Sequence, residues 1–334
     1  MNFNRLFELD YARAICIILV VIGHFLPDNS PEWYLVFRQW IYSFHMPVFF
    51  FISGYLYSYF SSSNVEYLPF IRKKVFRLLV PYLFTSLILI GLKLVIQSEA
   101  SVKSPVSLFS LVRMFYYPEA GYFLWFVWSL FSIFLIIPFF KTRLSRFILL
   151  ITAIIVHYLL VLSGNSGLEN HFVTDLFCID KTMVMIIWFM SGVIGAQYRN
   201  KLSISFVWKL FIVLAFVGVS VWFCYAPAFD EQTLPAAILP YLGIVSILLI
   251  SDYLSKYSSW CEPLFMSLSR ASFFIYLCHT TVLGVANTIY SKISLFSSFH
   301  FIFELIFVVS MGVFIPMILY YSLVYICPSI KKYI

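Results

Sequence analysis

Charge is what this chain has least of. Charged residues fill 11% of its 334 positions, against roughly 25% in ordinary soluble domains. With 62% of the residues hydrophobic and 21% aromatic, a soluble core of this size has nowhere to bury them. Cysteine is also sparse. The six cysteines (Cys16, Cys178, Cys224, Cys261, Cys278 and Cys327) show no Cys-x-x-Cys or Cys/His ligand spacing, which argues against a metal centre or a disulfide framework. Cys178 and Cys224, near outer helix ends, are the two placed to pair. Internal repeats and low-complexity tracts are absent, and the loops are too short for an appended soluble domain. The N-terminal stretch has no basic leader and no small-residue cleavage site, so its first apolar run is expected to remain as a helix.

What is there is a succession of apolar runs near 20 residues long, at roughly 8–26, 36–60, 74–97, 121–140, 146–163, 178–197, 206–225, 235–252, 272–290 and 301–326. These predict an all-α polytopic membrane protein of about ten transmembrane helices, forming one integral-membrane domain over 1–334. Pro27, Asn29-Ser30-Pro31, Pro105, Pro118, Gly164-Asn165, Pro227 and Pro263 punctuate the gaps, as turn chemistry requires. Segment 105–117 is too short to span and is expected in the interface. A formal charge of +7 suggests nucleic acid only until its distribution is read. Fifteen basic residues, among them Arg72, Lys73, Lys74, Arg77, Lys141, Arg143, Arg146, Arg199 and Lys201, fall on one side, with only six, Arg38, Lys93, Lys103, Arg113, Lys181 and Lys292, opposite or within the membrane. That asymmetry is the positive-inside pattern, with both termini cytoplasmic; it excludes a nucleic-acid partner in favour of membrane lipid.

The first run, LDYARAICIILVVIGHF from Leu9 to Phe25, carries Asp10, Arg13 and His24. Eleven helical steps from Arg13 to His24 return to within about 20° of the same direction over a rise of ~16 Å. Asp10, three residues before Arg13, shares that face and is placed to pair with the guanidinium. Ionisable groups inside a spanning helix normally face a protein interior or a wet cavity. The structural alternative is a snorkelling Arg and a His satisfied by a neighbouring backbone.

In the second run, SFHMPVFFFISGYLYS, His45 lies near the outer side, Pro47 bends or starts the helix, and Ser53-Gly54 permits close helix approach. FIRKKVFRLLVPY follows, with Arg72, Lys73, Lys74 and Arg77 at the cytoplasmic mouth. They are either positive-inside charges or the holders of a phosphorylated ligand. Trp125 and Trp128 have the spacing of an interfacial aromatic belt. In SLSRASFFIYLCHTTV, Arg270 starts a helix and His279 lies about two turns further in, lining the same cavity or packed in the core. His157 is read as a core histidine. Loop residues His171 and Asp175, four apart, have the spacing to pair on a helical turn.

Arg13-x10-His24, the FFFISGYL run from Phe49 to Leu56, the Arg72–Arg77 cluster ending in Pro81-Tyr82, and SFFIYLCH before the last helix occur in an order that resembles the integral-membrane acyltransferase family 3, in its short stand-alone type. The resemblance extends from Leu9 to His279. It implies transfer of an acyl group, most simply acetyl, from cytosolic acyl-CoA to a hydroxyl of a cell-surface or lipid-linked carbohydrate, in the bacterial cytoplasmic (inner) membrane and without a metal. By that resemblance His24, with Arg13 and Asp10, is catalytic, with His24 as the general base. Arg72, Lys73, Lys74, Arg77 and Arg270 would hold the donor, and His45, Ser53, Trp125 and His279 would contact substrate. One departure is Gly121-Tyr122-Phe123-Leu124-Trp125, where many relatives place a His before Leu-Trp. The rival reading is a transporter or flippase for a polysaccharide or lipid-linked sugar, with Arg13 and His24 lining its path.

Overall fold

The structure, a computed structural model, describes residues 6–28, 30–60, 66–96, 105–162, 176–199, 205–225, 234–293 and 300–329. Asn29, Lys103, Gly164, Asn165, His171, Asp175, Lys201 and Pro227 lie outside the described residues. The elements are α1 (Phe7–His24), α2 (Glu32–Phe60), α3 (Tyr67–Lys74), α4 (Val80–Ile96), α5 (Ser110–Arg113), α6 (Trp125–Ile136), α7 (Arg143–Leu162), α8 (Ile179–Tyr198), α9 (Phe206–Tyr225), α10 (Leu234–Tyr257), α11 (Glu262–Ile293) and α12 (His300–Ile326). A π-helical turn, Val75–Leu79, joins α3 to α4. Short 3-10 turns, Tyr122–Leu124 and Ile137–Phe139, flank α6. No strand and no disulfide occur among the described residues.

The protein is an all-α, multi-pass membrane protein. Among the described residues, eight helical stretches, from Tyr67–Val95 to Phe301–Ile326, are long and apolar enough to cross a bilayer. α1, with 18 residues, and α2, with 29, reach ~27 Å and ~44 Å, and they carry the ionisable groups singled out above. Proline explains where the elements depart from expectation. Pro263 does not end a gap; it occupies the first turn of α11, where its missing N–H has no helical partner to lose, so α11 starts at Glu262 instead of 272. Pro69 sits likewise in the first turn of α3 and moves that start to Tyr67. Pro81 has no N–H to offer the Arg77 carbonyl, and the π turn lies immediately before it.

The chain gathers into two compact units. The first comprises the chain to Ile52 and residues 200–328, hence α1, most of α2, and α9 to α12. In lipid there is little hydrophobic drive between helices, so close packing and interhelical hydrogen bonds hold them together. A Cβ on Gly312 of α12 would come within 2.9 Å of Val21 on α1 and 2.8 Å of Leu283 on α11, so the small residue lets three helices meet. Tyr11 stacks on Phe265 with ring centroids 4.6 Å apart. Trp40 donates its indole N–H to Ser220 Oγ over 2.8 Å, joining α2 to α9.

The second unit comprises residues 53–199 and the last residues of the chain. Gly54 lies against α8 so closely that any Cβ there would collide with the Phe189 carbonyl, which is the close approach expected of Ser53-Gly54. Tyr57, Phe70, Phe134 and Phe189 pack around that crossing. His157 is buried, with Nδ1 2.8 Å from the Val184 carbonyl, the satisfied core histidine expected. Trp128 is buried against Tyr82 and Phe177 and so is core, not belt. The stretch after Pro105 makes only the single turn α5. It is fixed by the Arg113–Glu119 ion pair (3.5 Å) and by Tyr82 Oη donating to the Met114 carbonyl (2.9 Å).

Candidate functional site: a histidine cluster at the end of α1

α1 ends on His24; the Phe25 N–H still reaches the Val21 and Ile22 carbonyls, but the carbonyls beyond them are left to side chains. α2 supplies the donors. Tyr34 Oη shares its one hydrogen between the carbonyls of Ile22 (2.7 Å) and Phe25 (3.0 Å). Arg38 Nε donates to the Gly23 carbonyl at 2.6 Å, and Tyr42 Oη to the same oxygen at 2.9 Å. Arg38 also donates to Tyr42 Oη (3.2 Å) and lies over the Tyr42 ring, 4.6 Å from its centroid. These three side chains recur every four residues, so they form one stripe of α2, and Arg38 brings a cation to the negative end of the α1 dipole.

Around that cap the structure gathers three histidines. The His24 and His279 rings lie 4.9 Å apart, centroid to centroid, edge to face. Tyr42 is 5.8 Å from His24 and 5.1 Å from His45. His45 is 1% and His279 0% exposed, whereas His24 is half-buried and therefore the one of the three open to an incoming group. His45 Nδ1 is 2.7 Å from the Ile41 carbonyl; His279 Nδ1 is 2.7 Å from that of Tyr276 and 3.2 Å from that of Ile275. A carbonyl only accepts, so the proton of each neutral ring resides on Nδ1 and each Nε2 is an acceptor.

At the other end of α1, Ser269 of α11 donates to Asp10 Oδ1 (2.7 Å) and accepts from Arg13 (3.4 Å), while Arg13 and Asp10 pair directly at 3.7 Å. The expected Asp10–Arg13 pair is therefore present, with the serine hydroxyl as its tighter bridge. Both are only partly exposed, at 26% for Arg13 and 15% for Asp10. Arg270, next in sequence to Ser269, is exposed and makes no part of this bridge.

In the second unit the basic cluster divides. Arg72 and Lys73 line a cavity of about 410 Å³ with Leu68, Pro69 and Phe76. Lys74 turns the other way, its Nζ 3.6 Å from the Phe134 ring centroid and 5.2 Å from that of Phe70. Arg77 is exposed beyond the cavity. Ser53 and Trp125 are half-buried in the same unit. No trio of His, Cys, Asp or Glu placed to hold a metal occurs among the described residues.

Sequence reasoning singled out His24, His45 and His279 but missed Arg38, Tyr42 and Ser269. The signal for the first two was the four-residue spacing Tyr34–Arg38–Tyr42, obscured because the helix was expected to begin at 36 and Arg38 was counted as an outer-side charge. Ser269 carried no signal, since serine is common at helix crossings.

The profile of the acyltransferase 3 family, described as an acyltransferase domain, matches residues 6–321. The chain belongs to the acyltransferase 3 family. Among curated relatives it is similar to nodulation protein NolL of Mesorhizobium japonicum, 28% identical over 232 residues, covering 66% of this chain and 56% of that protein. It is also similar to nodulation protein NolL of Sinorhizobium fredii, 32% identical over 164 residues, covering 46% and 42% respectively. The chain thus spans about half the length of the curated relatives it matches. No solved structure matches it significantly. The acyltransferase 3 match takes in both α1, with Arg13 and His24, and α11, with Ser269 and His279.

Proposed function

We propose that this chain is a membrane O-acyltransferase. It moves an acyl group, most simply acetyl, from cytosolic acyl-CoA to a hydroxyl of a cell-surface or lipid-linked carbohydrate, in the bacterial cytoplasmic membrane. One observation carries the reading: a half-buried histidine ends α1 within a cluster of two buried, backbone-fixed histidines and an arginine–tyrosine cap. Family membership supports it. His24 accepts the proton of the sugar hydroxyl as its oxygen attacks the thioester carbonyl carbon. The tetrahedral intermediate collapses with cleavage of the carbon–sulfur bond, and the CoA thiolate leaves with the proton returned by His24. Arg13, held by Asp10 and Ser269, orients the donor. Arg72 and Lys73 are the cations best presented for donor phosphates, supported by Arg77 and Arg270, while Lys74 packs on Phe134; a guanidinium binds two phosphate oxygens at once. Ser53 and Trp125 are assigned to substrate contact, whereas His45, expected there, is buried behind Tyr42.

The test supplies the purified protein in nanodiscs with radiolabelled acetyl-CoA and a glycan and lipid-linked glycan extract of the producing cells. Label in the glycan fraction, released by mild base as an ester, is the expected result. Failure to bind acetyl-CoA or to label any glycan would overturn it in favour of a carrier.

A further inference from the structure

We propose that His279 is a positioning residue for His24: in the reacting complex its Nε2 accepts the N–H of the His24 ring and so fixes which His24 nitrogen faces the acceptor hydroxyl. The inference rests on the reading of His24 as general base. A base must present a lone pair, and an imidazole does so from only one nitrogen at a time. Something must therefore hold the other N–H, as a buried carboxylate does in the serine-hydrolase triad. The group in ring contact with His24 on α11 is His279, 4.9 Å away.

Its chemistry suits the task. α11 carries His279 with Nδ1–H committed to the Tyr276 and Ile275 carbonyls, so the ring cannot offer Nδ1 to a neighbour without giving up its own backbone bonds. Full burial removes competition from water. Nε2 is left as an acceptor whose direction the helix sets, and catalytic hydrogen bonds commonly tighten from looser resting geometry when substrate binds. His45 is anchored in the same way to Ile41, but its ring lies 5.1 Å from that of Tyr42, so it backs the tyrosine.

The inference separates two conservative variants that a structural role would order the other way. The amide of Asn reaches the Nδ1 position and retains the bond to the Tyr276 carbonyl; that of Gln reaches the Nε2 position and accepts from His24. If His279 positions His24, His279→Gln retains most turnover, whereas His279→Asn and His279→Ala each lose at least about tenfold in kcat with the KM for acetyl-CoA unchanged. If His279 only satisfies its own helix, His279→Asn is the milder change, and that order would overturn the inference. A second measurement does not depend on activity. Ring-nitrogen NMR of histidine-labelled protein in nanodiscs, with the His24 signals assigned by loss in His24→Gln, should show one neutral tautomer in the wild type and a mixture in His279→Asn. An unchanged tautomer in His279→Asn would remove the proposal while leaving His24 as base; normal turnover in His24→Gln would remove the base itself.

Discussion

Arg38 donates its Nε–H to the Gly23 carbonyl across 2.6 Å, tying α2 to the residue immediately before His24. The bond is charge-assisted, and the oxygen it satisfies lies beyond those that the Phe25 N–H reaches, the Val21 and Ile22 carbonyls. A hydrogen bond to a charged group contributes roughly 1.5–3 kcal/mol. Arg38→Met should therefore lower the thermal midpoint and reduce acyl transfer even though Arg38 carries no step of the chemistry. Tyr42→Phe, which removes a neutral bond to the same oxygen, should have the smaller effect. Thermal melting in detergent, read alongside turnover, checks both; an Arg38→Met protein as stable and as active as wild type would show that α1 ends securely without its cap.

Gly54 makes a packing prediction. A Cβ there meets the Phe189 carbonyl, a backbone atom that cannot rotate aside. Even Gly54→Ala should push α2 and α8 apart and cost stability by the few kcal/mol typical of overpacking, whereas Gly218→Ala, in open space on α9, should be tolerated. Size-exclusion profiles and folded yield after solubilisation report the difference.

The basic cluster should not respond as a unit. Neutralising Arg72 and Lys73 together should raise the KM for acetyl-CoA, with the wild-type advantage shrinking at high salt. Lys74→Met should leave donor affinity nearly intact and instead remove a cation–π contact of about 0.5–2 kcal/mol with Phe134. Equal rises in KM for both variants would return Lys74 to the donor site.

Ser269 bridges Asp10 and Arg13. Ser269→Ala should loosen the guanidinium and raise the donor KM by a few-fold without abolishing turnover. Arg13→Lys should be worse, because an ammonium cannot reproduce the planar fork. Donor titrations on folded variants rank the two.

The architecture was largely legible in the sequence because hydrophobic runs in a membrane protein need only length to be read. The start of α11 was not, because Pro263 looks the same whether it closes a loop or opens a helix; only the fate of its missing N–H tells the two apart. The stripe from Arg13 to His24 could be drawn from helical geometry alone. Its partners could not: His279 and Ser269 come from a helix near the far end of the chain, and pairing α1 with α11 is a matter of packing around Gly312, for which one sequence has no local sign. The division of Arg72 and Lys73 from Lys74 was hidden for a related reason, since adjacent residues on a helix diverge by about 100° and the aromatic ring that captures Lys74 is supplied by α6.

The central claim is that His24 takes the acceptor's proton, and His24→Gln tests it most directly. The amide replaces much of the imidazole's hydrogen bonding but cannot serve as a base near neutral pH. Transfer of radiolabelled acetyl from acetyl-CoA to extracted glycans is measured in nanodiscs, normalised to folded protein and to acetyl-CoA binding. The expected result is a variant that folds and binds donor normally yet loses roughly 10²–10⁴ in turnover. Turnover near that of the wild type would contradict the account.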